Sequence, residues 1–197
     1  MKKVLYTKFL ILFFIAMQNF VMGQSSYGTS FGIVIGNNGN ILSVAKDTVR
    51  TFRNGYQIGL KANFGTYSFY ISPSVFFKNI TIDNSFKKIN PFEKSPSLKI
   101  GKAKVVIGYQ TNLFTKRIKF KLGGGLNGNY ILAIADNPQS YNFNNITDTY
   151  IAYNIDVGVD VFFLNFNISY EKSLKDVFII DPKHKFDFLV FSAGVLF

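Results

Sequence analysis

The sequence predicts an all-β protein, with eight antiparallel strands closed into an up-and-down barrel. Three observations predict it. Apolar residues recur with a period of two along most of the chain, and no stretch repeats them at three and four over three helical turns. The alternating segments number eight, and the links between them are short and long by turns. Within most segments one face is bulky and apolar, while the other is small and polar.

The chain opens "MKKVLYTKFLILFFIAMQNFVMGQ". Lys2, Lys3 and Lys8 precede an apolar run from Phe9 to Met17, and Val21-Met22-Gly23 supplies a cleavage site. This order is that of a secretory signal peptide, and the run is short of the ~20 residues a spanning helix needs. The expected division is a cleaved leader over 1–23 and a barrel over 24–197.

The first strand, "YGTSFGIVIG" (27–36), sets Tyr27, Thr29, Phe31, Ile33 and Ile35 against Gly28, Ser30, Gly32, Val34 and Gly36. The second, 56–64, sets Tyr56, Ile58, Leu60, Ala62 and Phe64 against Gln57, Gly59, Lys61 and Asn63. The third, 67–78, sets Phe69, Ile71, Pro73, Val75 and Phe77 against Tyr70, Ser72, Ser74, Phe76 and Lys78. Pro73 removes a ladder donor, so a local bulge is expected there. The fourth, 102–111, sets Val105, Ile107 and Tyr109 against Lys104, Val106, Gly108 and Gln110. The fifth, 118–130, sets Ile118, Phe120, Leu122, Leu126 and Tyr130 against Lys119, Lys121, Gly123, Gly125, Asn127 and Asn129. The sixth, 150–162, sets Ile151, Tyr153, Ile155, Val157, Val159 and Val161 against Ala152, Asn154, Asp156, Gly158 and Asp160. The seventh, 164–172, sets Leu164, Phe166, Ile168 and Tyr170 against Asn165, Asn167, Ser169 and Glu171. The last, "KFDFLVFSAGVLF" (185–197), is apolar on both faces, and Phe197 sets its phase with Leu189, Phe191, Ala193 and Val195.

Short links are expected at 65–66, at 112–117 and near Phe163, where no clear turn residue stands. Long polar loops are expected over 37–55, 79–101, 131–148 and 173–185. That layout is the one of an outer-membrane barrel with its long loops outside the cell. Closure satisfies every backbone N–H and C=O between neighbouring strands, as a bilayer core requires. The interior of an eight-stranded barrel has room only for side chains. The small face, with Gly28, Gly32, Gly59, Gly108, Gly123, Gly125 and Gly158, therefore belongs inside, and the bulky face toward lipid. Aromatic residues at both strand ends fit the two interfaces.

Composition agrees. The chain carries 23 Phe and 11 Tyr, too many aromatics for a disordered chain. There is no Cys, which excludes disulfides and Cys-based metal or redox sites. The net charge is +11, and +8 without the three leader lysines. An exported chain seldom meets nucleic acid, so none is expected as a partner. Anionic lipid headgroups and lipopolysaccharide phosphates are the expected partners.

"FYISPSVFFK" (69–78), "FNISYEKSLKDV" (166–177) and the closing "AGVLF" resemble the PorT-like outer-membrane β-barrel family of Gram-negative bacteria. The resemblance implies an eight-stranded transmembrane barrel in the outer membrane, with both termini periplasmic. It also implies insertion by the barrel assembly machinery, with the aromatic Phe197 as the C-terminal insertion signal. One relative in that family takes part in a dedicated secretion system.

The inward charges form the principal candidate site. Lys61, Lys119, Lys121, Asp156, Asp160 and Glu171 are expected to share a lumen charge network, because an isolated buried charge costs several kcal/mol. A hairpin centred near residue 140 would set Lys121 almost opposite Asp160. Glu171 sits nearer the loop end, able to pair with Lys78 or stay solvated. Lys87, Lys88 and Lys94, in the second long loop, are the loop binding candidates. The single histidine, His184, has Asp181 nearby and Ser173 across the same loop, the residue types of a hydrolytic triad. "GGGLNG" (123–128) continues a strand and lacks the following helix a phosphate loop needs. No metal-ligand cluster stands out, and no cofactor is expected.

The functional expectation is a non-enzymatic outer-membrane barrel, plugged by side chains, that presents basic, Asn-rich loops. Its role would be envelope structure, surface binding or an accessory part in secretion, with an extracellular or envelope protein as a further partner. Two alternatives stand beside it. One is a soluble secreted barrel carrying a small apolar ligand, which needs the bulky face inside. The other is an outer-membrane lipid-modifying enzyme centred on His184.

Overall fold

The computed structural model describes residues 28–40, 52–66, 68–82, 97–113, 117–135, 142–144, 146–177 and 186–197. Residues 1–23, Tyr27, Lys87, Lys88, Lys94, Asp181 and His184 lie outside them. The described strands are β1 (Gly28–Asn40), β2 (Phe52–Gly65), β3 (Phe69–Ile82), β4 (Ser97–Asn112), β5 (Ile118–Ile134), β6 (Thr149–Val161), β7 (Leu164–Ser173) and β8 (Asp187–Leu196). Each pairs antiparallel with its sequence neighbour, and β8 returns to β1 to close the barrel. No helix occurs among the described residues. At the seam Phe31 and Phe197 exchange both backbone hydrogen bonds at 2.8 Å, so the ladder stays paired to its lower edge.

The alternation sorts faces as expected. Ile33, Ile35, Ile58, Ile71, Ile107, Leu126, Ile155, Phe166 and Phe191 point outward and are exposed. Gln57, Ser72, Lys102, Lys104, Lys121, Asn127, Asp156 and Glu171 point inward and are buried. The bulky face is therefore outside. β8, apolar on both faces, takes the phase Phe197 sets: Phe191 is exposed, while Phe188, Val190 and Leu196 fill the interior.

Three local expectations are corrected. The strands run further at the loop end than alternation predicts: β2 starts at Phe52, β3 reaches Ile82, β4 starts at Ser97 and β5 reaches Ile134. The reason is an inversion of polarity. In β3, β4, β6 and β8 at this end, Ile80, Leu98, Ile100, Tyr150 and Phe188 face in and are buried, while Lys99 and Thr149 face out and are exposed. A segment keeps strand geometry when its backbone is paired, whichever face is apolar. Pro73 causes no bulge. Lys61↔Ser74 and Phe64↔Ile71 keep one register across it, and the Ser72 hydroxyl donates to the Ala62 carbonyl at 3.1 Å beside the missing ladder donor. The β6–β7 link is a two-residue turn, Phe162-Phe163, between the pair Val161↔Leu164. Phe162 has φ 58, a conformation usually left to glycine.

Candidate functional site

The interior is filled in layers, and each layer draws on strands far apart in sequence. At the short-turn end, the register sets Lys119 opposite Asp160 and Lys121 opposite Gly158. The hairpin is thus centred near residue 140. Lys121 still forms an ion pair with Asp160, on the diagonal. The two side chains leave the same face two residues apart, a distance a lysine spans. Asn165 of β7 donates to Asp160 Oδ1 at 2.5 Å, and its own Oδ1 accepts from Lys61 Nζ at 3.2 Å. Lys61 therefore enters through a neutral amide. Lys119 lies near the rim, its Nζ 3.2 Å from where a Cβ on Gly28 would be.

The middle layer is centred on Asp156 of β6. Lys104 of β4 reaches both of its oxygens, at 2.9 Å to Oδ1 and 2.8 Å to Oδ2. The Ser169 hydroxyl donates to Oδ1 at 2.6 Å and Asn154 donates there at 2.7 Å, while Asn167 donates to Oδ2 at 3.1 Å. Lys104 also donates to Ser169 Oγ at 2.8 Å. Such a set satisfies a carboxylate deep in a protein, where a bare one would cost several kcal/mol.

The next layer is centred on Glu171 of β7, only 2 % exposed. It is not solvated. Lys102 approaches at 2.8 Å, and Lys78 and Lys104 each at 3.7 Å. Three ammonium groups around one carboxylate need further partners. Lys102 donates to Gln57 Oε1 at 2.7 Å. Lys78 Nζ sits 3.4 Å from the centre of the Phe188 ring, and Lys102 Nζ 4.8 Å from that of Phe76. Ring faces carry negative potential, so they spread the surplus charge.

Above Glu171 the lumen turns apolar. Ile80, Leu98, Ile100, Ile131, Tyr150, Phe188 and Val190 from the strands pack with Ile146, Val177 and Phe186 from the connections. Ring centroids lie 5.5 Å apart for Tyr150–Phe186 and for Phe186–Phe188. Backbone bonds tie the connections down: Thr147 N–H donates to Val177 C=O at 2.9 Å, and Ser173 N–H to Phe186 C=O at 2.9 Å. The Ser173 hydroxyl accepts from Phe186 N–H at 3.0 Å and is buried, holding this lid in place. Among the described residues no group of three or more His, Asp or Glu could hold a metal ion.

Alternation alone brings Lys78, Lys102 and Lys104 to the inner face, yet their convergence on Glu171 was not anticipated. Lys104 was legible as inward. Lys102 stood at the edge of its expected strand, and only the extension of β4 to Ser97 sets it well inside. The apolar lid was missed because Ile131, Ile146 and Val177 stand singly in stretches that read as polar loop.

No family model matches this chain, and no curated protein matches it. Among solved structures, the outer membrane protein OprG from Pseudomonas aeruginosa is similar at 11% identity and TM-score 0.49, covering 86% of this chain and 95% of that one. Neisserial surface protein A is similar at 12% identity and TM-score 0.46, covering 87% and 97%. The Yersinia pestis outer membrane protein Ail, solved in a phospholipid bilayer nanodisc, is similar at 17% identity and TM-score 0.44, covering 86% and 100%.

Proposed function

We propose that the protein is a non-enzymatic barrel of a Gram-negative outer membrane, closed along its axis, that works through its surface and loops. One observation carries this reading: the barrel is inside out relative to a soluble one. Its exposed face is a continuous apolar band, and its buried face holds the ions. On β4, eight residue steps separate Tyr109 from Gly101, the partner of Tyr130. That is about 26 Å of strand, or about 20 Å of height at a 40° tilt, close to the ~25 Å apolar band of such barrels. Exposed aromatics bound it at both ends: Phe69, Tyr109, Phe163 and Phe166 toward the short turns, Tyr56, Phe77 and Tyr130 toward the long loops. The polarity inversion beyond Gly101, where Lys99 faces out, marks the point where strands leave the lipid.

A soluble carrier of an apolar ligand would put the bulky face inside, which is the opposite arrangement. In this reading the long loops lie outside the cell and both termini are periplasmic. Lys87, Lys88 and Lys94 then face lipopolysaccharide phosphates or an envelope partner. A PorT-like accessory role in secretion is the finer form of the same reading, supported by the segments 69–78 and 166–177.

Fractionation and a heat-modifiability gel test the proposal. The protein is expected in the detergent-extracted envelope fraction and is expected to migrate differently boiled and unboiled. Recovery in the soluble fraction without detergent overturns it. Replacing Lys87, Lys88 and Lys94 together with Gln is expected to weaken binding to lipopolysaccharide micelles while leaving the gel shift intact.

A further inference from the structure

We infer that the lumen holds a single small anion, a halide, beside Lys61. A cavity of about 20 Å³ lies beside the Asp156 layer, between Lys61 and Gln57, enough for one water-sized occupant or a monatomic ion. Lys61, Lys104, Ser72, Ser74, Ser192 and Asp156 are among the residues that line it.

The charges around it do not cancel. Lys104 is matched by Asp156, and Lys121 by Asp160. Lys61 remains, with the amide oxygen of Asn165 as its hydrogen-bond partner. An ammonium has three donors, so Lys61 keeps two for the cavity. Unlike Lys78 and Lys102, whose surplus charge lies over the rings of Phe188 and Phe76, Lys61 has no ring contact among the described residues. Lys61 is half-buried, and a positive charge drawn partly out of water without an ion-pair partner is costly.

Asp156 also faces the cavity, yet it does not compete for Lys61. Its Oδ1 accepts from Lys104, Asn154 and Ser169, and its Oδ2 from Lys104 and Asn167. A water would satisfy the free donors and leave the charge. A cation would meet two ammonium groups. A halide accepts from Lys61 and from the hydroxyl of Ser74, since Ser72 and Ser192 already donate to the Ala62 and Asn167 carbonyls, and it cancels the surplus, which is why it is the preferred occupant.

Bromide locates the site directly. Crystals of the detergent-purified protein soaked in bromide are expected to show one anomalous peak in the lumen, in contact with Lys61 Nζ and Ser74 Oγ. No lumen peak, or a water-like peak without anomalous signal, overturns the inference. Thermal unfolding supplies an independent reading. At equal ionic strength the protein is expected to unfold at a higher temperature in chloride than in gluconate, which is too large for the cavity. Lys61→Met is expected to lose both the peak and the salt difference. Should Lys61→Met fail to fold, Lys61→Gln, an uncharged residue that keeps an N–H donor, is expected to show the same losses. Equal unfolding temperatures in the two salts for the unaltered protein, or a difference that survives either substitution, overturns it.

Discussion

At the scale of single residues, the lumen shows how far one side chain's meaning depends on its partners. Glu171 looks from its position like a solvated acid near a loop, yet it is the carboxylate on which Lys78, Lys102 and Lys104 converge. Removing one partner of a buried ion group leaves uncompensated charge, which costs about 3–5 kcal/mol. Glu171→Gln is therefore expected to destabilise the barrel by that amount, read from urea unfolding in micelles. A loss below about 1 kcal/mol would show that the three lysines find other compensation. Phe162 poses the reverse case, a residue the backbone does not suit. Its φ of 58 costs about 1–2 kcal/mol for a side chain with a Cβ, and its contact with Arg117, 5.5 Å from the ring centre, returns about 0.5 kcal/mol. Phe162→Gly is expected to raise stability by about 0.5–1.5 kcal/mol in the same assay.

At the scale of elements, close approach between neighbouring strands decides which small residues are required. Gly125 on β5 faces inward, where a Cβ would lie 1.9 Å from the Val105 carbonyl oxygen of β4. Gly128, three residues on, faces outward, and a Cβ there meets nothing within 4 Å. Gly125→Ala is expected to lower the refolded fraction and cost at least about 1–3 kcal/mol, as overpacking does, while Gly128→Ala is expected to be neutral. Equal effects from the two would place the role of "GGGLNG" in chain flexibility rather than in strand approach. The strands that overrun their expected limits, β4 and β5 above all, do so because Leu98, Ile100 and Ile131 have an apolar lid to enter. Alternation shows that these residues share a face. It does not show that the face changes its surroundings partway along the strand.

For the whole molecule, the described residues fill the axis in layers: two ionic layers below Glu171's own, then an apolar lid. An eight-stranded barrel leaves no bore once its interior is filled by side chains. Reconstituted into planar lipid bilayers, the protein is expected to give no stepwise conductance, and regular ion-selective steps would overturn the plug. The same closure makes stability collective. Lys104 of β4 reaches Asp156 of β6 and Ser169 of β7, so a loss in one strand is felt across the lumen.

The sequence by itself determined the number of strands, their faces and the side that holds the charges. These follow from a period of two and from the small and polar residues gathered on one face of most strands, both local properties of the chain. Even β8, with apolar residues on both faces, was readable from Phe197. The tertiary structure alone decided which charges meet and where each strand ends. Lys121 reaches Asp160 on a diagonal because the β5–β6 register pairs Lys119 with Asp160, a setting that loop lengths alone do not fix. Lys61 ends beside Asn165, on the other side of the closure, because the β1–β8 seam brings β2 to within three strands of β7 around the lumen. No spacing in the chain encodes a distance measured through the middle of the fold.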